Sequence, residues 1–245
     1  MRLLHISTLL ITASVMLICT QCETDMAGRQ LVGGWEGHLG PVPTTPITPE
    51  GILREVHLVQ DMIRSGTVGR RYFRPMDVQY ITIHETENPD GDAYRHALAL
   101  KNGALRATKR VGGNRIGFLT WHFTMQDNAA LQHLPTNEQG EHADFDGPGN
   151  NHSIGIENCD NRGNDLARTF DHSAMLTAYL MYEHHLSIDR VVPHYHWRRI
   201  SVNPEHKPCP RVFMDQGKPG AGWTWFLNRV QAHYRRIVPG PVPRI

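Results

Sequence analysis

The chain has 245 residues, enough for one sizeable core with short tails. A hydrophobic share of 40% and a charged share of 20% read as globular, which excludes a disordered or fibrous chain. The 25 Lys+Arg against 24 Asp+Glu leave no basic field for a nucleic-acid duplex, whereas 16 histidines offer many metal ligands.

The chain opens with Arg2, a mostly apolar run over residues 3–19, and polar residues from Thr20. This is the pattern of an export signal, and it predicts a periplasmic, cell-envelope or extracellular location. Residues 1–22 are therefore expected to be a signal peptide or a membrane or lipid anchor, with Cys19 or Cys22 as the lipid-bearing residue in the last case. Removing that segment takes away Arg2 alone among the charged residues and leaves Cys159 and Cys209 as the remaining cysteines. In an oxidising compartment the plain alternative is that these two form a disulfide.

Residues 23–50 read as a Pro/Thr-rich linker, residues 51–238 as one domain, and residues 239–245 as a Pro-rich tail. Apolar positions at Ile52, Val56, Leu58, Val59 and Met62 predict a helix over 51–64. "VQYITIHET" (78–86) is β-branched and predicts a strand. A helix follows over 92–103, with Asp92 as N-cap and Gly103 past its end. Further strands are expected over 118–127, 153–158 and 190–195, and further helices over 171–186, capped by Asp171, and 222–237. Interleaved strands and helices make the class α/β.

Three of these strands end on polar groups: His84 after "YITI", Glu157 after "SIGI" and His194 after "VVP". Two-residue alternation in "SIGIE" puts Ser153, Gly155 and Glu157 on one face, where Gly155 leaves room. In "HKPCP", Pro208 favours an extended Lys207, so Lys207 and Cys209 face the same side. An ammonium there is expected to lower the thiol pKa and favour metal ligation. Two histidines, one cysteine and an open fourth position are the donor set of a catalytic zinc site, though ligands so far apart in sequence are not established by spacing.

The strings "YITIHET", "WHFTMQD", "LQHLPTNE", "HADFDGPGNNHSIGIEN", "VVPHYHW" and "KPCPR" occur in that order over roughly residues 56–235. In this they resemble the zinc-dependent N-acetylmuramoyl-L-alanine amidases, the fold of amidase-type phage lysozymes and peptidoglycan recognition proteins, and most of all the bacterial and prophage autolysin branch. The resemblance implies a single amidase domain with a central mixed β-sheet flanked by helices, acting as a monomer on peptidoglycan or muropeptides. It maps zinc ligands onto His84, His194 and Cys209, with His196 as rival to His194. It gives Glu157 the proton transfer and Lys207 the oxyanion. Trp121 stands where phage-lysozyme relatives carry a catalytic tyrosine, and it is assigned with His142 and Asn151 to substrate binding. Relatives that only sense peptidoglycan tend to lack the third ligand, so Cys209 favours an enzyme over a non-catalytic peptidoglycan-binding module. The stretch "RRISVNPEH" between His194 and Cys209 is longer than in autolysin relatives, which puts the placement of Cys209 in question.

Overall fold

A computed structural model describes residues 39–107, 117–243 and 245; the 1–22 segment with Cys19 and Cys22 lies outside them. The described strands form a six-stranded sheet in the order β1-β4-β3-β5-β2-β6. Its members are β1 (Leu58–Gln60), β2 (Tyr80–Glu85), β3 (Phe123–Gln126), β4 (Ala129–Gln132), β5 (Ser153–Asn158) and β6 (Val191–Pro193). Only β3 and β4 pair antiparallel, so the sheet is mixed, as expected. The helices are α1 (Pro49–Glu55), α2 (Ala93–Lys101), the short α3 (Pro148–His152), α4 (Leu166–Glu183) and α5 (Ala221–Arg236). A two-stranded ribbon, β7 (Met214–Asp215) and β8 (Lys218–Pro219), precedes α5.

Strand alternation divides the sheet's two faces chemically. Ile81, Ile83, Phe123, Met125, Ile154 and Ile156 enter the main core, together with Phe170, Leu176 and Leu180 of α4 and Phe226 and Val230 of α5. The opposite face carries Thr82, His84, Thr124, Ser153, Gly155 and Glu157. Thr82, His84, Thr124 and Ser153 are nevertheless buried. Buried polar groups need partners. Loops and α2 supply the cover on this side, so the polar face becomes a walled site.

Several elements differ from the sequence expectation. The helix expected over 51–64 stops at Glu55, because His57 takes a φ of 53° and Leu58–Gln60 pairs with β4. Pairing with a neighbouring strand overrides a helical apolar pattern that had Val59, in fact 49% exposed, on the buried side. The sequence reading had no strand at β4, since alanine is a weak strand former. A two-residue connection folds β4 back on β3, with Gln126 opposite Ala129. The strand expected over 118–127 is ladder-paired only from Phe123, with single bridges at Phe118 and Thr120 before it. α4 starts five residues before Asp171, where Asp165 accepts from the Arg168 amide. Asp171 instead accepts from Arg229 Nε at 2.6 Å and His233 Nε2 at 2.8 Å, locking α4 to α5.

The packed body runs past the expected limits of 51 and 238. The Ile47 amide donates to the Arg236 carbonyl and the Val238 amide to the Ile47 carbonyl, fastening the end of the Pro/Thr-rich stretch to α5. The Pro-rich tail is tied down as well: Tyr179 Oη donates to the Pro243 carbonyl at 2.6 Å and Thr136 Oγ1 to the Ile245 carbonyl at 3.2 Å.

Candidate active site

The site lies at the carboxyl ends of adjacent strands, where α/β sheets commonly bind ligands. His84 and Glu157 are direct register partners on β2 and β5, and Ile83 pairs with Pro193, which delivers His194 beside His84. Residues far apart in sequence are thus neighbours because their strands are neighbours. Cys209 arrives from the other side, and its Sγ accepts from the Glu85 amide at 3.4 Å. The donor atoms of His84, His194 and Cys209 all lie within 4.8 Å of one another. His196, the rival, is exposed and outside this cluster.

The hydrogen bonds fix which nitrogens are bare. His142 Nε2 lies 3.2 Å from the Ser153 carbonyl and His194 Nε2 lies 3.0 Å from the Ala143 carbonyl. A carbonyl only accepts, so both Nε2 atoms carry hydrogen. Burial lowers the His142 pKa to about 4, so its Nδ1 is a bare acceptor, facing His84 Nε2 at 3.0 Å. His84 must donate there. The Nδ1 atoms of His84 and His194 then present two lone pairs to each other at 3.0 Å. Burial first, with the neighbouring histidines and Lys207 adding to it, holds both imidazoles far below the ordinary histidine pKa, so neither ring takes up a second proton cheaply. Two opposed lone pairs beside a thiol are unfavourable alone and are resolved by a cation between them. Two imidazoles and one cysteine suit zinc, and the other ring nitrogen of each histidine is oriented as ligating histidines require.

His142 therefore stands behind His84 and holds the ligand's tautomer; it is 8% exposed, and the part it shows borders the cleft. Gly155 supplies its space, since a Cβ there would lie 2.8 Å from three His142 ring atoms. Asn151 bonds the Asp146 carbonyl at 2.8 Å and does not line the cleft. Its neighbour Asn150 does, accepting from the His142 and Ala143 amides at 2.8 and 2.7 Å. Both asparagines lie in the Gly/Pro-rich string "DGPGNN" (146–151), the sequence signal that points to Asn150 as well as Asn151.

The cleft has two lobes of about 340 and 390 Å³ that share Leu119, Trp121, Glu157 and Lys207. Glu157 Oε1 is 3.7 Å from His84 Nδ1, and its buried Oε2 has no hydrogen-bond partner. Burial raises the Glu157 pKa to about 8, with Lys207 opposing the rise. Trp121 is buried and turns its N–H away from solvent onto Thr124 Oγ1 at 2.7 Å. Thr124 in turn meets His133 Nε2 at 2.9 Å. The indole is thereby held as an apolar wall between the lobes, with no proton to relay.

Lys207 Nζ pairs with Glu87 Oε1 at 3.1 Å. Burial pulls the Lys207 pKa down, but Cys209, Glu87 and Glu157 outweigh it and leave the ammonium above its ordinary value. The expected depression of the thiol is not what this geometry gives. Burial pushes Cys209 up, and Lys207 offsets only part of that; a bound cation is what would deprotonate it. Cys159 and Cys209 are both free, so the disulfide alternative falls away. Cys159 sits against His96 Nδ1 at 3.8 Å.

The long loop before Cys209 closes on itself. Arg198 bridges to His206, the Arg199 amide donates to the Glu205 carbonyl at 2.8 Å, and Arg198 Nε meets Glu205 Oε2 at 2.6 Å. His206 turns its Nδ1 to the Tyr195 carbonyl at 2.8 Å, away from the cluster. The extra residues project from the ligand segment without displacing it, and Arg199 and Val202 line the first lobe.

The family model described as N-acetylmuramoyl-L-alanine amidase matches residues 74–212. The chain is 39% identical over 163 residues to N-acetylmuramoyl-L-alanine amidase XlyA of Bacillus subtilis (strain 168), covering 65% of this chain and 48% of that protein. It is 35% identical over 157 residues to the amidase CwlH of the same organism, covering 62% and 53%. The chain thus spans about half the length of these curated relatives. The solved catalytic domain of XlyA superposes with a TM-score of 0.56 at 36% identity, covering 71% of this chain and 99% of that one.

Proposed function

The chain belongs to the N-acetylmuramoyl-L-alanine amidase family, and from that premise we propose that it is a zinc-dependent enzyme that hydrolyses the amide between N-acetylmuramic acid and L-alanine in peptidoglycan. The observation that carries this reading is the convergence of two bare Nδ1 lone pairs and the Cys209 thiol in the cleft that also holds Glu157 and Lys207. His84, His194 and Cys209 would hold zinc, which supplies Lewis acidity when bound.

The chain's own groups account for the rest of the chemistry. Glu157 has an unpartnered buried oxygen and a pKa raised to about 8 by burial, so it can take a proton from the attacking water and pass it to the departing amine. Lys207, charged and on the wall between the lobes, can steady the oxyanion of the tetrahedral intermediate. His142 keeps His84 in the tautomer that bares Nδ1. Trp121 separates the two lobes, which suits a substrate whose glycan and peptide arms leave the scissile amide in different directions.

The apolar run at residues 3–19 behind Arg2 supports export to the compartment where peptidoglycan lies. The test is release of free amino groups from purified cell walls. Release is expected with zinc, lost on chelation and restored by zinc. Wall binding with no release by the zinc-loaded protein would leave only the binding-module reading.

A further inference from the structure

We propose that Glu87 is a positioning residue that clamps the ligand-bearing segment 207–211 at both ends and fixes the Lys207 ammonium on the wall shared by the two lobes. Glu87 lies three residues beyond His84, in the turn that leaves β2. Its φ is 52°, in the left-handed region that disfavours a residue with a Cβ. Such a conformation persists where the surroundings over-determine it, and here the carboxylate does so. Its Oε1 accepts from Lys207 Nζ at 3.1 Å and its Oε2 from Arg211 Nη2 at 2.9 Å. Cys209 is midway between these two cations in sequence. Glu85 grips the same segment closer in: its amide donates to Cys209 Sγ at 3.4 Å and its Oε2 accepts from the Val212 amide at 3.2 Å. Residues 85–87 therefore set Cys209 against the histidines, independently of the long loop that precedes it.

The clamp also chooses the partner of Lys207. Glu87 and Glu157 both attract the ammonium, and Lys207 pairs with Glu87. Glu157 is left outside a lysine salt bridge and keeps an oxygen without a partner. A lysine on a flexible four-carbon stem would otherwise be free to close on Glu157 or swing into solvent. Glu87 acts through Lys207 and Arg211 and is not itself among the residues lining either lobe.

The experiment uses the full chain and Glu87→Gly, Glu87→Ala and Glu87→Asp variants. Glycine accepts the positive φ, so Glu87→Gly removes the clamp while relieving the backbone. Timed alkylation of metal-stripped protein, read at Cys209 and Cys159 separately by peptide mass spectrometry, is expected to show Cys209 reacting about 10-fold faster in Glu87→Gly, with Cys159 unchanged. Zinc affinity by chelator competition is expected to fall about 10-fold, as for other groups that orient ligands, and to recover in part in Glu87→Asp. In a Lys207→Met/Arg211→Met background the further effect of Glu87→Ala on zinc affinity is expected to be under about 2-fold, because the interaction is already gone. Turnover rests on the amidase reading, and there kcat should fall with KM nearly unchanged. Cys209 reactivity and zinc affinity within about 2-fold of wild type in Glu87→Gly would overturn the proposal, as would an undiminished effect in the double background. A rise in KM with kcat kept would overturn the placing of Lys207. A wild-type protein inactive on walls sinks the amidase reading alone, since the alkylation and zinc measurements need no substrate.

Discussion

Gly155→Ala tests the arrangement behind the ligands. The added Cβ would lie 2.8 Å from Cγ, Nδ1 and Cδ2 of His142. Comfortable carbon contacts begin near 3.5 Å, so the ring must retreat by about 0.7 Å. It is buried, bonded to Ser153 at 3.2 Å and to His84 at 3.0 Å, and flanked edge-on by His84 and His122 at 5.1 and 5.9 Å. A shift of that size along the His84 bond opens it to about 3.7 Å, beyond a hydrogen bond. The overpacking is expected to cost ~1–3 kcal/mol of stability. Loss of the bond that fixes the His84 tautomer is expected to weaken zinc binding about 10- to 100-fold. Chemical denaturation of the metal-stripped protein reads the first quantity and chelator competition the second. Adding His142→Ala should relieve the clash and recover part of the stability, yet leave zinc binding weak. Stability within about 0.5 kcal/mol of wild type, together with unchanged zinc affinity, would refute the reasoning.

Glu157→Gln is expected to lower amide hydrolysis by about 10²–10⁴-fold while retaining zinc, measured by amino-group release from walls beside metal content. Thr124→Val removes the acceptor of the buried Trp121 N–H; a stability loss of ~1–3 kcal/mol is expected, with a change in substrate KM as the wall between the lobes loosens. Asp171 is held at a pKa of about 2 by His233 and Arg229 against the opposing effect of burial. A carboxylate depressed in the folded state contributes stability above its unfolded pKa, and that contribution is lost as pH falls through the folded value. Wild type should therefore exceed Asp171→Asn in stability above pH ~4, and the two curves should converge as pH falls toward about 2. Parallel curves over that range would count against the α4–α5 lock.

The chemistry of the site was legible because it sits at the ends of strands with strong local signals. "YITIH", "SIGIE" and "VVPH" each combine β-branched residues with one terminal polar group, and alternation assigns Glu157 and Gly155 to one face. The helix boundaries that failed were those decided by contacts. His57 and Leu58–Gln60 follow a sheet edge rather than their own apolar period. Asp171 has every attribute of an N-cap, but two hydrogen-bond donors on α5, Arg229 and His233, claim it. β4 is made of residues with little strand preference and exists because β3 offers it a ladder.

The sequence by itself determined the α/β class from its interleaved elements, and it named the three metal-binding candidates with the acid and lysine beside them from residue types at strand ends taken together with the family resemblance. Only the tertiary structure separated His194 from His196, set His142 behind His84 at the edge of the cleft, and turned Trp121 into a fixed partition. It also freed both cysteines and reversed the expected effect on the Cys209 thiol, because burial, which no local pattern reports, outweighs the nearby lysine. Hydrogen-bond direction and desolvation depend on what packs against a group. Most of those neighbours lie scores of residues away along the chain, and strand register, together with the loops that carry His142 and Cys209, brings them together.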